Sequence, residues 1–227
     1  MFVHIESRRR AGLRWVTPLL VAACVASYLA LALTPPVERL AAVMRWGSIP
    51  ADLLHPLPSP WGLAAGLAAL RLFSALFIHA DLLHLAGNLL FLMIFGLPAE
   101  RALGSPRFLL LFLLGGAFAN FAGALSLPSA HGPIIGCSGA VSAVVGAYLA
   151  LFPRARLGLV LPLGVYLEFV RVPAALLIGL WFLLQLLFTY VGPGFGAVVW
   201  WAHIAGFVFG ILFALASRDT VARRLRD

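Results

Sequence analysis

Six long apolar segments follow one another along this chain, and they limit what it can fold into. Of its 227 residues, 63% are hydrophobic and only 11% are charged, whereas soluble domains are about 45–50% apolar and about 25% charged. About 20 apolar residues cross the hydrocarbon core of a bilayer. The sequence therefore predicts an all-α membrane protein with six transmembrane helices. The predicted spans are residues 16–33, 82–97, 108–127, 138–152, 174–190 and 201–217.

The spans are expected to form one domain, because 227 residues fit a single domain. This domain covers residues 16–217 and lies between a tail, 1–15, and a basic tail, 218–227. A long connection, 34–81, joins the first two spans and is expected to lie in the outer membrane interface. The segment 157–172 mixes apolar runs with charged residues and predicts an interfacial hairpin on the inner side.

The arginines predict the orientation in the membrane. All 16 basic residues are arginine, and with the N-terminus inside, thirteen lie on the inner side and three on the outer side. The positive-inside rule then places both termini in the cytoplasm, most simply at a bacterial inner membrane. The net charge of +8 is spread over short clusters beside apolar runs, so we do not expect nucleic acid as a partner. The C-terminal cluster from Arg223 to Arg226 predicts contact with anionic lipid, worth about 1 kcal/mol per arginine.

The N-terminal region has a second interpretation. Arginines, an apolar run and Ala30-Leu31-Ala32 together resemble a secretory signal peptide with its cleavage site. The apolar run 16–33 is longer than the 7–15 residues typical of a signal peptide. We therefore favour a retained first span.

Polar side chains lie at the beginning of three of the spans. Spans two, four and six all run from outside to inside, and their first turns contain His84 and Asn88, Ser138, and His203. Polar groups at membrane depth are costly and mark function. A hydroxyl and an imidazole are also the groups that nucleophilic acyl transfer uses. The sequence therefore predicts a reactive site in the outer half of the membrane.

Small residues are placed so that spans four and six approach each other closely. Ser138, Ser142 and Gly146 recur every four residues, and His203, Gly206 and Gly210 follow at three and then four. Small residues at such spacing let membrane helices pack closely, which would bring Ser138 against His203. The glycines that we expect to allow this packing are Gly136, Gly139, Gly146, Gly206 and Gly210.

The expected chemistry is a serine–histidine dyad. His203 would act as general base towards Ser138 and later as general acid towards the leaving amine. The backbone N–H of Ser138 lies at a helix N-terminus, which favours negative charge. The side chains of His84 and Asn88 add donors for an oxyanion. We interpret Cys24 and Cys137 as unpaired small hydrophobic residues.

Several short motifs stand out between about Arg71 and Gly210. They are His79, His84-Leu85-Ala86-Gly87-Asn88, Glu100 before Leu103-Gly104-Ser105, Gly136-Cys137-Ser138-Gly139-Ala140, Ala202-His203-Ile204-Ala205-Gly206 and Gly210. Through these motifs the chain resembles the rhomboid family of intramembrane serine proteases. The resemblance implies a six-helix fold with a water-filled cavity open to the outside. It also implies Ser138 as nucleophile, His203 as base, and an oxyanion hole lined by His84 and Asn88. The implied partners are transmembrane protein substrates, cut near their outer ends without metal or cofactor.

Two positions depart from the family pattern. Leu70-Arg71 stands where the family often has Trp-Arg, and Glu100 and Arg101 are adjacent where one residue usually separates them. We expect span five and the loop 192–196 to be the mobile element beside which a substrate enters. Two other functions remain open, namely a non-hydrolytic membrane protein that binds or transports, and a hydrolase of lipid esters. The dyad itself does not separate amide from ester substrates.

Overall fold

The computed structural model describes residues 14–55, 62–163, 166–191 and 199–226. These parts of the chain are predominantly helical, with one antiparallel hairpin. The helices are α1 Val16–Ala32, α2 Pro36–Trp46, α3 Pro50–Leu54, α4 Leu63–Ser74, α5 Leu82–Phe91, α6 Leu97–Leu103, α7 Ser105–Ser126, α8 Ser138–Leu151, α9 Ala174–Val191, α10 Trp200–Ala216 and α11 Arg218–Arg226. The strands are β1 Arg156–Leu163 and β2 Tyr166–Pro173. A 3-10 turn, Ala75–Phe77, follows α4, and a π-helical turn, Leu92–Gly96, joins α5 to α6.

Each of the six predicted spans contains a helix. Within the described part of the chain, three continuous helices are long and apolar enough to cross a membrane, namely Leu82–Leu103, Ser105–Ser126 and Ala174–Val191. The other three, α1, α8 and α10, have 17, 14 and 17 residues. The helices are therefore present, and the number of membrane crossings stays a prediction.

The expected all-α class is wrong for one segment. Strands β1 and β2 pair from Arg156 opposite Pro173 to Leu163 opposite Tyr166. The sequence analysis predicted a hairpin in this segment but did not predict β-strands. The segment 157–172 contains several valines and two aromatic residues. β-Branched and aromatic residues favour extended backbone.

Of the two predicted tails, the structure describes almost all of the C-terminal one and very little of the N-terminal one. Almost all of the N-terminal tail, 1–15, and the whole loop 192–196 lie outside the described residues. The C-terminal tail, 218–227, forms helix α11 as far as Arg226. Val221 of this helix is buried against the core, so the tail begins as a packed helix.

Helix α8 lies at the centre of the core, with every residue from Gly139 to Tyr148 buried. Helices α7 and α10 pack against it. A Cβ atom on Gly206 would overlap the carbonyl oxygen of Gly139, and one on Gly210 would overlap that of Ala143. Gly146 lies in the same way against the carbonyl of Phe207. Backbone therefore meets backbone along the α8–α10 contact, as small-residue packing in membranes requires.

One arginine and one amide help to hold the connection between α1 and α5. Arg71 donates from Nε to the carbonyl of Arg45, 2.9 Å away, and pairs with Asp52 at 2.7 Å. Asn120 on α7 donates to the carbonyl of Leu72 at 2.9 Å. Arg71 thus keeps helices α2, α3 and α4 together although the preceding residue is leucine and not the aromatic of the family pattern.

Glu100 fixes the beginning of α1. Its side chain is 1% exposed and accepts hydrogen bonds from the backbone N–H groups of Val16 and Thr17, at 3.0 and 2.9 Å. The hydroxyls of Thr17 and Ser105 donate to it at 2.7 and 2.6 Å. The N-cap residue of α1, Trp15, gives no side-chain hydrogen bond. Glu100 therefore caps α1 from a distance, and a carboxylate at a helix N-terminus is also favoured by the helix dipole.

Replacing Glu100 by alanine is expected to lower the free energy of unfolding by about 3 kcal/mol, because several buried donors lose their acceptor. Thermal unfolding of the purified protein in detergent measures the effect. Glu38 on α2 is an exposed carboxylate, and its replacement by alanine serves as the control, with a change of at most about 0.5 kcal/mol. Equal losses in the two variants would contradict the capping role.

Candidate active site

Ser138 begins α8, directly after a sharp turn of the backbone. Gly136 has φ of +103°, a conformation that only glycine adopts readily. Its N–H donates to the carbonyl of Ala75 at 2.9 Å. A Cβ atom on Gly136 would lie 2.6 Å from the ring of His84. Gly136 therefore turns the chain and leaves space for an imidazole, while its expected part in helix packing stays a prediction.

Ser138 and His203 are in contact although 65 residues separate them. The Oγ atom of Ser138 lies 2.8 Å from Nε2 of His203. Both residues are half-buried, at the beginning of α8 and of α10 respectively. The close approach of α8 and α10 through Gly206 and Gly210 sets this distance.

Gln185 on α9 is a site residue that the sequence reasoning missed. Its Oε1 atom lies 2.9 Å from Nδ1 of His203, and the side chain is 7% exposed. An amide oxygen accepts from Nδ1–H, which leaves the Nε2 lone pair facing Ser138. A lone amide within the apolar segment 174–190 was the available signal, since polar groups at membrane depth are kept for function.

His84 is held by the cap of its own helix. Asp81 is the N-cap of α5 and accepts from the His84 backbone N–H at 2.8 Å. The N–H of Ala80 makes a long contact, 3.5 Å, with Nδ1 of the ring. That contact favours the tautomer with the proton on Nε2. His84 is then a hydrogen-bond donor beside the turn at Gly136.

Asn88, one turn after His84, presents an unsatisfied donor. Its side chain is 8% exposed. Its Nδ2 atom is buried and makes no hydrogen bond with any of the residues that the structure describes. Leaving a buried polar group unpaired costs about 1–3 kcal/mol, so such a group calls for a functional reason.

These side chains surround one cavity of about 250 Å³. Its walls come from α5, α8, α9 and α10. The lining residues are Leu83, His84, Gly87, Asn88, Phe91, Ser138, Val141, Ser142, Trp181, Gln185 and His203. All four residues that the sequence singled out for chemistry thus meet at one cavity, together with Gln185.

His79 is buried and is not among the residues that line the cavity. It is 4% exposed, and its ring meets that of His84 edge-on with 5.2 Å between centroids. Burial lowers the pKa of His79 to about 4, and the neighbouring His84 adds to the shift. The imidazole is therefore neutral near pH 7.

Cys24 and Cys137, expected as small hydrophobic residues, are both buried with free thiols.

The sequence of this chain is similar to those of known proteins. The Rhomboid domain model matches residues 67–219. Rhomboid protease GlpG of Serratia proteamaculans (strain 568) is 32% identical over 163 residues, which is 71% of this chain and 53% of that protein. Rhomboid protease GluP of Bacillus subtilis (strain 168) is 38% identical over 86 residues, covering 37% of this chain and 16% of that protein.

One relative is named for a lack of activity. Inactive rhomboid protein 1 of Drosophila melanogaster is 36% identical over 81 residues, which is 36% of this chain and 6% of that protein. The chain thus spans about half, or less, of the length of these curated relatives. The family model covers well over half of the chain, from α4 to α11. The chain belongs to the rhomboid family.

Proposed function

We propose that this protein is an intramembrane serine endopeptidase that cleaves transmembrane proteins near their outer membrane boundary. The observation that carries the proposal is the 2.8 Å contact between Ser138 Oγ and His203 Nε2. This contact lies in a cavity that Asn88 also lines, and Nδ2 of Asn88 has no hydrogen-bond partner among the described residues. The protease relatives in the family support it.

The geometry suggests how the residues share the reaction. His203 takes the proton of Ser138 as Oγ attacks the substrate carbonyl, and it returns that proton to the leaving amine. Gln185 accepts from Nδ1–H and holds the imidazole in the reactive tautomer. Asn88, His84 and the N–H of Ser138 donate to the oxyanion as its charge develops. Water then releases the acyl group from Ser138 by the same proton transfers in reverse.

The length of α8 supports a site within the membrane. Its 14 residues extend about 21 Å at 1.5 Å per residue, less than the roughly 30 Å of the hydrocarbon core. If its cytoplasmic end reaches the inner surface, Ser138 lies below the outer one. Six spans, both termini in the cytoplasm and a bacterial inner membrane complete this proposed arrangement, in line with the arginine distribution.

The alternative of a non-hydrolytic family member rests on the relative named as inactive. The hydrogen-bonded Ser138 and His203 of this chain favour hydrolysis. A test uses the purified protein in lipid vesicles with a labelled single-span substrate. Cleavage near the outer boundary of the substrate, with the cut located by mass spectrometry, would support the proposal. Intact substrate under all conditions would overturn it, and cleavage of a lipid ester alone would replace it with an esterase.

Replacing Gln185 by leucine is expected to lower kcat about tenfold with little change in KM, since one hydrogen bond that orients His203 is worth about 1.4 kcal/mol. Gln185→Glu keeps an acceptor oxygen and should retain more of the rate than leucine does. Steady-state cleavage of the vesicle substrate measures both. A purely structural role for Gln185 would instead lower thermal stability in both variants alike and give no such rescue.

A further inference from the structure

Three buried side chains with metal-ligating atoms meet behind the active site. They are Cys24 from the middle of α1, His79 from the segment before α5, and Cys137 from the turn before α8. Their ligand atoms all lie within 4.8 Å of one another. The two cysteines are fully buried and His79 is 4% exposed. Three separate elements thus bring two sulfurs and one imidazole to a single point.

The distances fit a metal ion with little movement. Nε2 of His79 lies 3.4 Å from Sγ of Cys137. Zn²⁺ binds thiolate at about 2.3 Å and imidazole at about 2.0–2.1 Å, and in tetrahedral geometry this places sulfur and nitrogen about 3.6 Å apart. Nδ1 of His79 is buried and, apart from an interaction with the backbone of Phe77, has no hydrogen-bond partner within the described ranges. The cluster is therefore polar, buried and incompletely paired.

The charge of the site favours a divalent ion. Two thiolates and a neutral imidazole together carry two negative charges, and Zn²⁺ cancels both. Cu⁺ would leave one negative charge in an apolar interior, where an unpaired charge is costly. Soft sulfur donors also exclude Mg²⁺ and Ca²⁺, which prefer oxygen. Three protein ligands leave the fourth tetrahedral position for water or an exogenous ligand. The ring of His79 meets that of His84, which lines the cavity.

We propose that Cys24, His79 and Cys137 form a zinc site that fastens α1 to the turn carrying Ser138. The ion takes no part in the proposed hydrolysis, because neither Ser138 nor His203 is among its ligands. Its effect is to hold the backbone at Cys137 and thereby the beginning of α8. Zinc binding is measured without substrate cleavage, so the zinc proposal can fail while the proposed protease activity stands, and the reverse.

The experiment measures zinc binding directly, in the Ser138→Ala background so that proteolysis plays no part. Purified, reduced, metal-free protein in detergent is titrated with Zn²⁺ against a chromophoric chelator. We expect one zinc per chain, and at least a 100-fold weaker affinity after Cys24→Ala. His131→Ala removes an exposed histidine and is the matched control, with binding unchanged. Co²⁺ in place of zinc should give a thiolate charge-transfer band that Cys24→Ala removes.

A second variant and a second measurement guard against misfolding. His79→Leu should weaken zinc binding as Cys24→Ala does, and monodisperse elution of both variants from gel filtration shows that they are folded. Zinc should raise the unfolding temperature of the parent protein by several degrees and leave that of Cys24→Ala unchanged. Zinc binding that survives Cys24→Ala and His79→Leu overturns the proposal. So does binding of Cu⁺ but not Zn²⁺, or the absence of any zinc binding to the reduced parent.

Discussion

Replacing either Ser138 or His203 by alanine is expected to lower the rate of substrate cleavage by at least about 10⁴-fold. Without Oγ there is no nucleophile, and without the imidazole nothing removes the Ser138 proton across the 2.8 Å contact. The double variant should be no slower than either single variant, because residues that act as a unit are not additive. Initial rates in vesicles, followed at saturating substrate, measure all three.

A serine-directed fluorophosphonate separates the nucleophile from the rest of the site. The probe should label the parent protein at Ser138, label His203→Ala much more slowly, and leave Ser138→Ala unlabelled. Ser142 on the same helix donates to the carbonyl of Ser138 at 2.7 Å, so Ser142→Ala is the matched control and should still be labelled. Cleavage or labelling that persists in Ser138→Ala would place the nucleophile elsewhere.

The pairing of Ser138 with His203 could be predicted from the sequence, because the direction of each predicted span sets the membrane depth of its first residues. The predicted spans four and six begin on the same side, and the glycine spacing indicates which helix faces meet. Gly206 and Gly210 are in close backbone contact with α8 as this pattern required. Hydropathy, charge bias and small-residue spacing are all local properties, so a single sequence carries them.

The contacts of Gln185 and Glu100 could not be predicted from the sequence, because they depend on how each helix is rotated about its own axis relative to its neighbours. Helix α9 is apolar on nearly every side, so its periodicity does not indicate which side faces His203. Glu100 caps a helix that begins 84 residues earlier in the chain, and no local pattern predicts such a partner. The turn at Gly136 did not follow from the sequence either, since glycine serves both helix packing and positive φ. The cysteine and histidine cluster likewise appears only when three distant segments meet.

Replacing Asn88 by alanine is expected to lower kcat by about 10²–10³-fold with little change in KM, which is the usual cost of losing one oxyanion donor. The Nδ2 atom makes no hydrogen bond with the described residues, so it is free to bind the charge that appears only in the transition state. The same observation predicts that stability changes by no more than about 1 kcal/mol, since the substitution removes a buried unpaired group. Steady-state kinetics and thermal unfolding of the same preparation measure both quantities.

Asn120 provides the opposite case within the same chain. It is also a buried amide, 2% exposed, but its Nδ2 donates to the carbonyl of Leu72 at 2.9 Å. Asn120→Ala should therefore lose about 1–3 kcal/mol of stability, because a hydrogen bond is broken and the carbonyl is left unpaired. At temperatures well below unfolding, its kcat should stay near that of the parent. If Asn88→Ala instead lost stability and kept its cleavage rate, as expected for Asn120→Ala, the Asn88 amide would have a structural role. Stabilisation of the oxyanion would then depend on His84 and the backbone N–H of Ser138.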